Sequence, residues 1–372
     1  MAVAGASRRA ADSWVSLAQR NPAVGVVDTL LRGVGQVMFQ SNPLTGVLFL
    51  VGIFVNSLKF GGTALLGVAA STSAAYLLGA DRGLIRNGLF GFNGVLVGIG
   101  LAFFLQFDFL LAVYVVLGAV ISTIVMMALS NLLSPWDMPA LTGPFVLTAW
   151  LLLFAVYRFA FIRPSALIAP LVPDPHAAVQ TDLRELASGA GAVGLTAANL
   201  AHGLFRGVGE VMFQDNLPTG VIFLLAILVN SRVSAAFAVA GSALGLLTAL
   251  ATGADGFLIY HGLYGFNAVL CAIALGGLFF VLTWRSALYA LLAAVVSALV
   301  FAAIGVLLSP IGMPALTAPF VLTTWLFLRP KAGFRALEPV ALADVTTAEN
   351  IRASYRARAA GPSATSEPGE AT

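Results

Sequence analysis

Long uninterrupted apolar runs are the feature of this sequence that most restricts its fold. Residues 88–107 and 110–129 contain no charged side chain, and each run has about the 20 residues that an α-helix needs to cross a bilayer. In hydrocarbon every backbone amide must be paired within the chain, which leaves only helices and closed barrels. Continuous rather than alternating hydrophobicity selects helices. The sequence therefore predicts an all-α integral membrane protein.

The composition agrees with a chain surrounded by membrane lipid. Of 372 residues 59% are hydrophobic and 9% are charged, whereas soluble domains have about 25% charged residues. The 19 basic and 16 acidic side chains give a net charge of only +3, so we expect no nucleic-acid partner. Cys271 is the single cysteine, which excludes an internal disulfide.

Three sequence blocks occur twice in the same order. They are RGVGQVMFQ at 32–40 and RGVGEVMFQ at 206–214, GLFGFNGVL at 88–96 and GLYGFNAVL at 262–270, and MPALTGPFVLTAW at 138–150 and MPALTAPFVLTTW at 313–325. The first two pairs are separated by 174 residues and the third by 175. Such a pattern indicates an internal duplication with one residue of drift.

Each copy has an odd number of predicted spans. In the first copy they are 44–60, 61–80, 88–107, 109–133 and 140–162, and in the second 218–232, 235–254, 262–281, 285–308 and 315–328. Five spans per copy invert the second copy, so we expect ten transmembrane helices with a binding site between the halves. The glycine-broken segments 24–40 and 198–214 are too short to cross and are expected to be re-entrant half helices.

Basic residues near the ends predict the orientation. Both termini are expected in the cytoplasm and the proline-rich linker outside, by the positive-inside rule. We expect five segments: 1–23, an N-terminal cytoplasmic segment; 24–162, the first membrane repeat; 163–186, the extracellular or periplasmic linker; 187–328, the second membrane repeat; and 329–372, a cytoplasmic tail that is largely disordered from about Ala343.

A polar residue lies at the same place in each copy of the first block. Gln36 and Glu210 are each three residues before a phenylalanine, Phe39 or Phe213, a spacing that puts the pair on one face of a helix. A charge at mid-bilayer costs about 2.5–3.5 kcal/mol on insertion scales, and such groups face a watery path or the bundle interior. Because Gln36 offers a similar acceptor without charge, the pair indicates a neutral solute that donates hydrogen bonds.

The third block places a threonine between two prolines in each copy. Thr142 and Thr317 are therefore expected beside backbone carbonyls that the prolines leave unpaired, with the two hydroxyls facing each other at the centre of a path. In the middle block Phe92 and Leu96 are four residues apart, as are Phe266 and Leu270. Each of these pairs is expected on one helix face.

Together, VGQVMFQ, GFNGVL and the doubled MPALTxPF block resemble the signature of the urea transporter family, over about residues 24–328. The resemblance implies a homotrimer of ten-span protomers, each with its own channel-like pore for urea, and a multi-pass protein of a bacterial inner membrane. It implies slots walled by phenylalanines, leucines that line them, oxygen-acceptor ladders and a central threonine constriction. The pore residues are then Gln36, Val37, Phe39, Phe92, Leu96, Thr142, Glu210, Val211, Phe213, Phe266, Leu270 and Thr317.

Other functions stay open on the residues alone. Glu210 could bind a proton or sodium in an ion-coupled transporter, and a channel for ammonium or short amides would share most of these features. A membrane hydrolase needs a nucleophile with a base, or a metal. His176, His202 and His261 lack metal-ligand spacing, so we expect neither a cofactor nor enzymatic activity.

Overall fold

The computed structural model describes residues 14, 16–167, 170–172 and 196–359, and their regular structure is helical. In the first copy the helices are α1 Pro22–Gln36, α2 Pro43–Asn56, α3 Leu58–Leu77, α4 Arg82–Arg86, α5 Gly91–Phe104, α6 Phe109–Leu133 and α7 Gly143–Val156. In the second they are α8 Ala197–Gly209, α9 Leu217–Asn230, α10 Arg232–Ala251, α11 Gly256–Tyr260, α12 Gly265–Ile273, α13 Trp284–Leu308 and α14 Ala318–Leu328, followed by α15 Ala348–Ala359. Each helix of the first copy has its counterpart in the second, so the duplication extends to the fold.

The one extra residue of the second copy lies in a π-helix. Residues Ala274–Leu278 continue α12 as a π-helical turn, with Gly277 at a φ of 145°. The matching helix α5 remains α-helical to Phe104. A π-bulge accommodates one extra residue within a helix, and the separation between the copies changes from 174 to 175 residues at this turn.

The structure also reveals a fourth duplicated segment, IRPSAL at 162–167 and LEPVAL at 337–342. Each segment folds back onto the residues that follow α5 in the first copy or the π-helix in the second. Leu105 forms an isolated antiparallel bridge with Pro164, and Phe280 forms the same bridge with Pro339. The bridges are 175 residues apart, and each brings the chain after the last helix of its copy back to an earlier helix of the same copy.

The two copies are joined by reciprocal hydrogen bonds between α2 and α9. Thr45 Oγ1 donates to the Ala226 carbonyl (2.9 Å), and its counterpart Thr219 donates to the Gly52 carbonyl (3.0 Å). Across the same contact Phe49 and Phe223 pack with ring centroids 4.9 Å apart. When residue i contacts j and the equivalent of j contacts the equivalent of i, the two units are related as by a twofold axis. The two helices run antiparallel at this contact.

Amide side chains continue the reciprocal contact beyond the helices. Asn56 Nδ2 donates to Gln214 Oε1 (2.9 Å), and its counterpart Asn230 donates to Gln40 Oε1 (2.8 Å). Gln40 and Gln214 are fully buried, so each needs this partner from the other copy. The segment that follows Phe39 or Phe213 is thereby fixed to the opposite half.

Four helices within the described residues are long and apolar enough to cross a membrane by length and composition. They are Leu58–Leu77, Phe109–Trp136, Arg232–Ala251 and Trp284–Ile311. A fifth candidate is the pair Ala197–Met212 and Leu217–Asn230, which is bent by 72° as in a broken span or a re-entrant loop. Other apolar helices, such as α5 and α7 with 14 residues each, reach only about 21 Å. A multi-pass membrane protein is thus supported, while ten inverted spans remain a prediction.

Two expectations from the sequence are wrong. Gln36 and Phe39 do not share a helix face, because α1 ends at Gln36 and Phe39 has a left-handed φ of 63°. Glu210 likewise opens a 3-10 turn that ends before Phe213, whose φ is 60°. The tail is also not disordered from Ala343, since the described part contains α15.

Helix α15 is fixed by contacts that composition does not reveal. Glu349 accepts hydrogen bonds from Ser231 Oγ (2.8 Å) and the Val233 amide (2.9 Å) at the start of α10. Ala348 is buried against Gly277 of the π-helix. Residues 1–13, most of the linker 163–186, residues 187–195 and residues 360–372 lie outside the described residues, and so do the expectations for them.

Candidate functional site

The hydroxyls of Thr142 and Thr317 meet at the interface between the two copies. Their Oγ1 atoms are 2.7 Å apart and the two residues are 3% and 2% exposed. Each threonine lies at the N-cap position of a helix, α7 or α14, without a side-chain capping bond. Each follows a leucine with a left-handed backbone, Leu141 at φ 53° and Leu316 at φ 52°. An oxygen–oxygen contact this short leaves no space for a solute between the hydroxyls. Any passage here must separate them.

Two buried asparagines hold these threonine turns in place. Asn93 Oδ1 accepts from the Phe145 amide (3.0 Å), and its counterpart Asn267 Oδ1 accepts from the Phe320 amide (3.0 Å). Both asparagines are at most 1% exposed. Sequence reasoning missed them, although the signal was available, since an asparagine lies in both copies of the apolar GFN block.

Tryptophans from the opposite copy bind carbonyls of the proline turns. Trp150 Nε1 donates to the Pro314 carbonyl (2.9 Å), and Trp325 Nε1 donates to the Pro139 carbonyl (2.9 Å). A carbonyl unpaired in a membrane interior costs several kcal/mol. The two bonds therefore satisfy the proline turns and join the copies on either side of the threonine pair.

The first-block phenylalanines pack against the opposite copy. Phe39 lies edge-on to Phe279 (5.9 Å between centroids) and Phe320 (6.0 Å). Phe213 makes the equivalent contacts with Phe104 and Phe145, each at 6.1 Å. Both rings thus belong to the interface that contains the threonine pair.

The remaining apolar candidates are nearly or fully buried. Phe92 and Phe266 are each 7% exposed, and Leu96 and Leu270 are 0% exposed. Val37 and Val211 are 2% and 1% exposed. Phe266 also packs edge-on against Phe301 at 5.7 Å. Within the described residues no ring contact joins Phe39 to Phe92 or Phe213 to Phe266, so their role as slot walls remains a prediction.

Gln36 and Glu210 both lie half-buried at the end of a helix. The Gln36 amide nitrogen donates to the Asn87 carbonyl at 2.9 Å, which fixes the side chain and leaves Oε1 as an acceptor. The Glu210 carboxylate receives no hydrogen bond from the part of the chain that the structure describes. Each copy therefore presents one side-chain oxygen that can accept from a solute.

An arginine lies one helical turn before each of these polar groups. In the first copy Arg32 Nε is paired with Asp28 Oδ2 at 2.7 Å, and Arg32 Nη1 donates to the Ser41 carbonyl at 2.8 Å. Trp14 Nε1 donates to the other oxygen of Asp28 at 2.8 Å. The arginine is thus bound to its own helix and to the segment after Phe39.

Arg206, the equivalent residue of the second copy, has different partners. Its Nη1 lies 3.2 Å from Asp215 Oδ1 and 3.3 Å from His261 Nδ1, and His261 Nδ1 lies 2.5 Å from Asp215 Oδ2. The guanidinium also lies over the Tyr260 ring at 4.3 Å. Sequence reasoning missed this cluster, because it treated His261 only as an unduplicated histidine.

Glycines allow the turns before α5 and α12 to lie close to α1 and α8. Gly88 and Gly262 have φ values of 78° and 72°, which favour glycine. A Cβ at either position would collide with the backbone of Gly33 or Gly207. Each turn can therefore press against the helix that carries Gln36 or Glu210.

Comparison with known proteins identifies the family. The urea transporter family model matches residues 27–332. The chain belongs to the urea transporter family. It is 35% identical to urea transporter 1 of Ovis aries over 342 residues, which cover 91% of this chain and 86% of the relative. It is 36% identical to urea transporter 1 of Mus musculus over 332 residues, which cover 88% and 83%.

Membership of the urea transporter family makes this chain a transport protein and not an enzyme. The range that matches the urea transporter family contains every candidate pore residue, the two asparagines, Trp150 and Trp325, and both arginines with the acids that bind them. Helix α15 lies beyond it. Among the described residues no group of three His, Cys, Asp or Glu side chains is arranged to hold a metal ion.

Proposed function

We propose that this chain conducts urea down its concentration gradient through a narrow path between the two copies. Its centre is the contact between Thr142 and Thr317, and this contact is the observation that carries the proposal. Within the part of the chain that the structure describes, the two hydroxyls bond only to each other, and such a pair can open to a small hydrogen-bonding solute and close behind it. The urea transporter family and its relatives support urea as that solute.

The chemistry around the threonine pair suits a flat, neutral donor. Urea carries N–H groups on both of its nitrogens and has no net charge, so it needs acceptors rather than counter-ions. We assign Gln36 Oε1 to one side of the constriction, the two hydroxyls to its centre and the Glu210 carboxylate to the other side. Successive acceptors replace the hydrogen bonds to water one at a time, and binding stays weak enough for release.

The apolar candidates give the path its shape in this proposal. Two slots that admit a thin, flat solute and hinder thicker ones are walled by Phe39, Phe92, Phe213 and Phe266. Leu96, Leu270, Val37 and Val211 line the same path without offering hydrogen bonds. The aromatic contacts of Phe39 and Phe213 with the opposite copy support a rigid wall, because each ring is packed from two directions.

The arrangement in the membrane is also part of the proposal. Ten spans in two inverted repeats, with both termini in the cytoplasm of a bacterial cell, are supported by the paired helices and by the antiparallel contact of α2 with α9. A homotrimer follows from the family resemblance alone. In a variant without Cys271, accessibility labelling of Arg20→Cys and of Lys331→Cys tests whether the two ends of the chain lie on the same side of the membrane.

Flux measurements test the function. Purified protein in liposomes is challenged with urea, formamide, ammonium and glycerol, and the shrinkage and swelling are followed by light scattering. Fast urea entry with slow glycerol entry supports the proposal. Glycerol entry as fast as urea contradicts the slot, preferential ammonium entry favours the ammonium channel, and a requirement for a proton or sodium gradient favours an ion-coupled transporter.

A further inference from the structure

Arg32 and Arg206 are each four residues before a proposed solute acceptor, Gln36 or Glu210. Side chains at this spacing lie next to each other on a helix surface. Each guanidinium is therefore within reach of the acceptor in its own copy. Neither acceptor is bound by its arginine in the structure, because other groups hold both guanidinium groups.

The acid that holds the arginine has changed position between the copies. Asp28 of the first copy corresponds to His202 of the second, and Asp215 of the second corresponds to Ser41 of the first. Each copy thus keeps one carboxylate beside its arginine, although at different positions. Such compensation is expected if each arginine must be neutralised by a group other than the acceptor one turn away.

The second copy depends more strongly on this restraint. The acceptor at Gln36 is an amide, whereas Glu210 is a carboxylate that attracts a guanidinium with both charge and hydrogen bonds. Among the described residues, the buried Arg206 Nε and His202 Nδ1 atoms have no hydrogen-bond partner. In the first copy the equivalent Nε is occupied by Asp28.

We propose that Asp215 is a positioning residue that holds the Arg206 guanidinium away from Glu210, and that His261 orients Asp215 by donating from Nδ1 to its other carboxylate oxygen. They thereby leave the Glu210 carboxylate free to accept hydrogen bonds from the permeating solute. Without them the Arg206 side chain reorients toward the next turn of its helix and pairs with Glu210. The path then loses an acceptor and is partly blocked by the guanidinium. This inference rests on the proposed role of Glu210 as a solute acceptor.

The matched perturbation gives the second copy the residues of the first. Asp215→Ser removes the restraint, and we expect urea flux per folded protein to fall at least fivefold, or by about 1 kcal/mol in the barrier. Adding His202→Asp places a carboxylate one turn before Arg206, where Asp28 holds Arg32, and should restore most of the flux. The pair Arg206→Gln with Asp215→Asn removes both charges and should also retain flux, since no guanidinium remains to engage Glu210.

A structural role for Asp215 would not give this pattern. Asp344→Asn serves as the control, because Asp344 is 56% exposed in a long ion pair on the tail and should leave flux unchanged. The proposal is overturned if folded Asp215→Ser conducts as the wild type does, or if His202→Asp fails to rescue it. Should Asp215→Ser not fold, the variant with Arg206→Gln and Asp215→Asn decides instead: retained flux supports the proposal, and slow flux in the folded protein contradicts it.

Glu210→Ala separates this inference from the function on which it rests. Wild-type flux in that variant would remove Glu210 as an acceptor and with it the reason for the restraint. Slow flux in Glu210→Ala together with unaffected Asp215→Ser would leave the acceptor role standing and refute only the positioning role. A wild-type protein that does not conduct urea would instead refute the proposed function itself.

Discussion

Replacing both Thr142 and Thr317 by valine should slow urea far more than either single replacement. The two hydroxyls are buried and hydrogen-bonded to each other at 2.7 Å. A urea molecule that separates them offers an N–H to each side, so in the wild type each hydroxyl has a hydrogen-bond partner before and during passage. This reciprocal pairing is the reason to expect non-additive effects.

The expected magnitudes follow from counting unpaired groups. In a single variant the remaining hydroxyl is unpaired when the path is empty, and one urea N–H is unpaired during passage. Each such group costs about 1–3 kcal/mol, so the two penalties largely offset and flux stays within about threefold of wild type. In the double variant the empty path has nothing to satisfy, whereas passing urea leaves two N–H groups unpaired. The barrier rises by at least about 2 kcal/mol, which is about a 30-fold loss of flux.

Stopped-flow light scattering of proteoliposomes, normalised to folded protein, measures these rates. Thr148→Val and Thr323→Val are matched controls, because both threonines lie on the same two helices and are each 1% exposed. Their hydroxyls have no hydrogen-bond partner among the described residues. We expect wild-type flux from both. A double Thr142, Thr317 variant as fast as wild type, or a single variant as slow as the double, would refute the reasoning.

Three further predictions concern other parts of the chain. Glu210→Gln should keep substantial urea flux, whereas Gln36→Glu should be the more harmful change, because a carboxylate cannot donate to the Asn87 carbonyl. Flux assays compare the two variants, and abolished flux in folded Glu210→Gln would contradict this prediction. Phe266→Ala should admit thicker amides while the protein still folds; aggregation, with the remaining protein still selective, would identify a packing residue. Glu349→Ala should lower the free energy of unfolding by about 2 kcal/mol and leave urea flux unchanged, because two hydrogen bonds to a charged acceptor are lost. A thermal shift assay detects the loss of stability, and Glu349→Gln should have a milder effect.

Much of the architecture could be predicted because its causes are local. Apolar runs and the need to pair every backbone amide predict membrane helices, and α6 occupies the expected residues 109–133. The duplicated blocks identified Thr142 with Thr317 and Gln36 with Glu210 before any contact was known. Residue type at matching positions carried this information, so no tertiary structure was needed.

Local patterns failed where the backbone departs from a helix or where distant contacts decide. Spacing placed Gln36 and Phe39 on one helix face, but the helix ends between them and Phe39 turns toward the other copy. Composition indicated a disordered tail, but Glu349 is satisfied by the start of α10, a partner 118 residues away in sequence. Neither outcome can be read from neighbouring residues.

The sequence by itself determined that this chain is helical, membrane-embedded and duplicated, and that each copy has polar residues at matching positions in apolar segments. Only the tertiary structure decided which partners those groups have. The bonds from Trp150 and Trp325 to the opposite proline turns, and the different acids that hold Arg32 and Arg206, depend on how two copies pack against each other. Hydrophobicity and backbone pairing act along the chain, whereas the satisfaction of a buried side chain depends on whichever distant segment the fold brings beside it.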